Sequence, residues 1–155
     1  GIGRGSLYNT FGSKHELYEA ALRRYQEANG AALQAVLEAP GSSRERLQAA
    51  LDMVIDRARR DRDHRGCMIT NAAVELAGHD PAVRRMVQRT LRLQEEAFQS
   101  VIEQGQLAGE IDAGADAVAL AEFFVTTLNG IQVMARVDPD LRRLRSLADT
   151  AMRTV

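Results

Sequence analysis

Apolar residues along the chain recur at intervals of three and four, and no segment alternates strictly between apolar and polar positions. Leu47, Leu51, Val54, Ile55 and Ala58 fall on one side of a helix, as do Val83, Val87, Leu91, Phe98, Val101 and Ile102. The pattern predicts an all-α chain. Caps and breakers divide it into elements. A short helix is expected over about residues 4–10 and a long one after Ser13, which stands at capping-box spacing from Glu16. The Pro40-Gly41 turn ends the long helix near Glu38. Ser42 and Glu45 repeat the capping spacing at the start of a third helix, which reaches about Asp63. Gly66 breaks the chain, and a fourth helix over about residues 67–77 stops at Gly78. In Asp80-Pro81 and Asp138-Pro139 the aspartate can cap and the proline can take the first helical position. These pairs predict the start of a fifth helix, running to about Leu107, and of a seventh that closes the chain. Between them a sixth, about Ala115 to Arg136, is apolar around most of its circumference.

With 155 residues, 45% of them hydrophobic and 26% charged, the chain can bury one sizeable core. Its net charge of -1 leaves nucleic-acid contact to a local basic patch rather than to the field of the whole molecule. The longest uninterrupted apolar run, Ala117 to Ala121, is bounded by Asp116 and Glu122, so no membrane partner is expected. The first residues carry no basic region followed by an apolar run, and the single cysteine, Cys67, excludes an internal disulfide framework. A cytoplasmic location is expected.

The opening segment has a particular order. Gly1-Ile2-Gly3 stands ahead of the short helix expected from about Arg4 to Thr10, Arg4-Gly5-Ser6-Leu7-Tyr8-Asn9-Thr10. Phe11 follows it, and Gly12-Ser13-Lys14-His15-Glu16-Leu17 is expected to open a capped second helix. Leu7 and Phe11, four apart, can form a buried back face, leaving Arg4, Ser6 and Asn9 on other sides with donors for base edges or phosphates. This stretch resembles the second half of the helix-turn-helix of tetracycline-repressor (TetR) type regulators, with its short recognition helix and its capped Lys-x-x-Leu helix.

The resemblance implies a DNA-binding transcriptional regulator, a repressor released from a double-stranded operator by a small-molecule effector. Residues 1–25 would belong to the DNA-binding head and residues 26–155 to a ligand-binding and dimerisation body. Arg4, Ser6 and Asn9 would read the operator, and Tyr8 and Lys14 would anchor phosphates. Family members carry two helices ahead of this point, so a complete three-helix head is expected to need residues before Gly1. The resemblance also implies a homodimer built on the last two long helices, about residues 115–136 and 139–154. Leu120, Phe123, Phe124, Thr127, Leu128, Ile131 and Met134 make a stripe broad enough to meet both a core and a partner.

Polar groups interrupting apolar faces nominate Cys67, Asn71 and Asn129 for the effector site, with Phe98, Phe124 and Met134 as apolar lining. Cys67 follows Gly66 with His64 and Arg65 nearby, a setting that favours a thiolate, so a cysteine-based electrophile or redox sensor is an alternative. A helical dimeric interaction module without a ligand is another. The three histidines, His15, His64 and His79, are scattered, and no catalytic motif occurs, so no enzyme is expected. His64 and Cys67 fall short of the four ligands of a structural zinc site, and neither metal nor cofactor is expected.

Overall fold

Side-chain caps set where the helices begin. The computed structural model describes residues 10–155, and all regular structure among them is helical. Ser13 Oγ accepts the Glu16 N–H at 3.1 Å and opens α1, Lys14–Leu37. Thr10 and Phe11 are helical just ahead of it; residues 4–9 of the short helix expected there lie outside the described residues. Ser42 and Glu45 form a complete capping box at the head of α2, Ser43–Arg60. This helix stops short of Asp63 because the Asp61 carboxylate accepts the Gly66 N–H at 2.7 Å and folds residues 61–66 into a loop. His64 and Gly66 take positive φ angles there, 50° and 67°. The eight-residue α3, Met68–Glu75, follows.

Asp80 accepts the Ala82 and Val83 N–H groups with Pro81 at the first position of α4, Pro81–Leu107, as the Asp-Pro pair predicts. Asp116 caps α5, Ala117–Val137. The second Asp-Pro pair departs from expectation. Asp138 ends α5, its N–H bonded to Met134 O at 2.8 Å, so it cannot open the next helix one residue later. Asp140 caps α6, Leu141–Ala151, instead, and Pro139 lies outside the helix.

The helices enclose two apolar cores. The larger joins α2, α4 and α5 with the C-terminal half of α1 and with α6, around Leu37, Leu51, Phe98, Phe124 and Leu144. A smaller one gathers Leu22 of α1, Cys67, Ile69 and Ala72 of α3, and Val83 and Val87 of α4. By length and composition α5 is apolar enough to cross a membrane. Its inner side, Ala121, Phe124, Val125, Leu128 and Ile131, is spent in the larger core, and its outer side is exposed.

Candidate functional site

Helix α1 spans both cores. Its inward positions run Leu22, Gln26, Asn29, Leu33 and Leu37, so two amides interrupt the apolar stripe midway. The facing stripe of α4 is interrupted in the same way, by Thr90 and Gln94 between Val87 and Phe98. Gly30 adds no side chain, and a Cβ built there meets nothing within 4 Å. Where the two interruptions face each other the cores part, and a cleft of about 530 Å³ opens between α1 and α4. That volume suits a small organic molecule.

Most polar groups on the cleft wall are engaged. Gln26 donates to Met86 O at 3.0 Å, Thr90 to the same carbonyl at 3.2 Å, and Asn29 to Tyr25 O at 3.0 Å, while Asn29 Oδ1 accepts from Arg57. Gln94 Oε1 is buried without a partner. Arg23 and Arg89 stand on the cleft with no ion pair or side-chain hydrogen bond among the described residues.

The residues singled out from the sequence are dispersed. Phe98 and Phe124 are fully buried and stacked, with ring centroids 5.7 Å apart. Met134 packs against the same core. Asn129 donates to Val125 O at 2.9 Å and accepts from Thr70 at 3.5 Å. Asn71 donates to Arg65 O at 2.9 Å and accepts from Arg136 at 2.6 Å, tying the loop before α3 to α5. These polar groups are satisfied, and none of the four residues Phe98, Phe124, Asn129 and Met134 lines the cleft. Cys67, 5% exposed, lines a separate cavity of about 30 Å³ together with Arg57, His64 and Arg136. Burial, and next the neighbouring Cys67, push the Tyr25 phenol above its ordinary pKa. Among the described residues no three His, Cys, Asp or Glu side chains group to hold a metal ion.

The polar interruptions that make the cleft are visible in the sequence once α1 and α4 are set side by side. Taken singly, each interrupted stripe is an ordinary amphipathic helix face.

At the start of α1, Lys14 is exposed; His15 lies 3.2 Å from Glu19 and 3.5 Å from Asp80. The other residues assigned to operator contact, Arg4, Ser6, Tyr8 and Asn9, lie outside the described residues. On α5 the outward residues Ala119, Phe123, Thr126, Gly130, Val133 and Val137 are all exposed and follow alternating steps of four and three. Such a seam of small and apolar side chains fits a facing helix. Of the broad stripe read from the sequence, Phe124, Leu128 and Ile131 turn inward and Phe123 outward.

Residues 43–152 match the family described as tetracyclin repressor-like, C-terminal domain. The HTH-type transcriptional regulator YezE of Bacillus subtilis is 33% identical to this chain, over 98% of this chain and 79% of its own length. The HTH-type transcriptional repressor ComR of Escherichia coli is 28% identical, over 96% and 71%. Among solved structures, a cysteine mutant of the TetR family transcriptional regulator CifR, complexed with 26-bp double-strand operator DNA, superposes with a TM-score of 0.86. It is 30% identical, with 98% of this chain and 80% of that one covered. Regulatory protein TetR from Rhodobacter sphaeroides gives a TM-score of 0.89 at 25% identity, over 99% and 82%.

Proposed function

The chain belongs to the TetR family of transcriptional regulators, and from that premise we propose that it is a homodimeric repressor whose hold on its operator is released by a small molecule in the α1–α4 cleft. The observation that carries this reading is the continuity of α1. One unbroken helix of 24 residues bears Lys14 at its first turn and the cleft wall at Gln26, Asn29 and Gly30. Lys14 stands roughly 24 Å along that rod from Gly30.

A molecule that fits the cleft only when α1 tilts from α4 selects the tilted state. The large core holds α1 at Leu33 and Leu37, so the tilt is taken up at the smaller core around Leu22, and the Lys14 end travels furthest. Two heads joined through the outer seam of α5 would meet successive half-sites roughly 34–36 Å apart, and a change in that spacing lowers operator affinity. Arg4, Ser6 and Asn9 would read bases, and Tyr8 and Lys14 would hold phosphates.

The test uses the protein with a complete head. Compounds that raise its melting temperature are titrated against labelled operator DNA, and fluorescence anisotropy reads the affinity. Saturating ligand that leaves operator affinity unchanged would sink the mechanism.

A second reading places the sensor at Cys67, supported by its position on the small cavity beside Arg57 and Arg136, where the loop before α3 meets α2 and α5. An adduct on the buried thiol would exceed about 30 Å³ and force these helices apart. Intact-mass measurement after treatment of native protein with N-ethylmaleimide decides it: an unlabelled Cys67 removes this reading.

A further inference from the structure

Resting on the proposal that the α1–α4 cleft is the effector site, we infer that its ligand is an amphipathic organic anion. The two ends of the cleft differ. At one end Arg23 on α1 and Arg89 on α4 present guanidinium groups with no carboxylate bound to them among the described residues. Glu27, one turn beyond Arg23, is the one acidic residue on the wall, so cations outnumber anions there two to one. From Pro81 to Gln94 helix α4 carries Arg84, Arg85, Arg89 and Arg92 and no acid, which adds to the positive field at this end. Planar guanidinium groups match a carboxylate or a similar oxyanion.

The other end is apolar. Leu33, Ala97 and the half-exposed Leu93 stand beyond Gly30, over whose Cα the space is open. Helices α1 and α4 run side by side in the same direction here, since Gln26 bonds Met86 O and Leu33 lies with Ala97. A ligand lying along the cleft therefore has its charged head at Arg23 and Arg89 and its apolar body over Gly30. Gln94, on the same wall, has its Oε1 buried with no hydrogen-bond partner.

The experiment titrates the full chain calorimetrically with decanoate, decanol and decyltrimethylammonium. Decanoate is expected to bind once per chain, at least about tenfold tighter than the other two, and to weaken as salt is raised. The double variant Arg23→Gln/Arg89→Gln is expected to lose about tenfold in decanoate affinity and to keep that for decanol. Gly30→Leu fills the open space and is expected to abolish decanoate binding without lowering the melting temperature.

Decanol binding as tightly as decanoate, or decanoate binding unchanged in either the double variant or Gly30→Leu, overturns the inference. Its failure is separable from that of the effector reading. A neutral compound that displaces operator DNA and is lost in Gly30→Leu removes the anion and leaves the effector site standing. Decanoate that occupies the cleft with operator affinity unchanged supports the anion and removes the effector role.

Discussion

Phe98 of α4 and Phe124 of α5 stack at 5.7 Å between ring centroids with their planes 22° apart, and neither ring is exposed. The pair pins the helix that walls the cleft to the helix that carries the outer seam. Phe124→Ala leaves a cavity and an unpartnered ring, so a loss of about 3–5 kcal/mol is expected in chemical denaturation. A loss below about 1 kcal/mol would mean that the two helices are held elsewhere.

Two helical glycines of the body should respond in opposite directions to the same substitution. At Gly30 an added Cβ meets nothing within 4 Å, and Gly30→Ala is expected to stabilise by about 0.5–1 kcal/mol through helix propensity. At Gly105 it would stand 2.7 Å from Ile111 Cδ1 and 2.8 Å from Ser43 Cβ, so Gly105→Ala is expected to cost about 1–3 kcal/mol. Thermal melts of the two variants beside the parent protein check both signs.

Three carboxylates lie below their ordinary pKa, each held first by a backbone N–H: Glu45 by Ser42, Asp61 by Gly66 and Asp80 by Val83. A depressed folded-state pKa contributes stability above the unfolded value of about 4, lost as pH falls through the folded value. The melting temperature is therefore expected to be insensitive to these groups above about pH 5 and to fall progressively below about pH 4. Asp80→Asn keeps a cap acceptor and removes one titration, so its melting temperature should decline less steeply with acid. An equal slope in variant and parent would refute Asp80's share.

Gly130 and Val133 lie on the exposed seam of α5, and a Cβ at Gly130 touches nothing in its own chain. Gly130→Arg is expected to convert a dimer to a monomer in sedimentation velocity with helicity retained. A variant that stays dimeric would place the contact between copies on another face.

What the sequence disclosed follows how far its signals reach. Ser42 with Glu45 and Asp80 with Pro81 act within one turn, and both caps stand where local chemistry puts them. Asp138-Pro139 misleads because two aspartates flank the proline, and the way α5 ends decides which of them caps α6. The inward and outward sides of α5 could not be separated by apolarity alone, since Phe123 and Phe124 are adjacent and point to opposite environments. The cleft was harder still. Its polar breaks, at Gln26 to Gly30 and at Thr90 and Gln94, lie far apart in the chain, and only the register of α1 against α4 turns two ordinary helix faces into one opening. Asn71 and Asn129 looked equally suited to a ligand, but each spends its hydrogen bonds on its own structure.

The separation of the two cores also bears on how the body melts. The smaller one, around Leu22, Cys67 and Val87, is joined to the larger through the segments of α1 and α4 that flank the cleft, through Leu91, which packs against both, and through the Thr70–Asn129 and Asn71–Arg136 hydrogen bonds. Amide protons near Leu22 should therefore exchange through partial openings that leave those near Phe98 protected. A molecule seated over Gly30 bridges the gap, so that the two blocks unfold in a single step. Occupancy of the cleft would then be legible as cooperativity, in the convergence of exchange rates from the two ends of one helix.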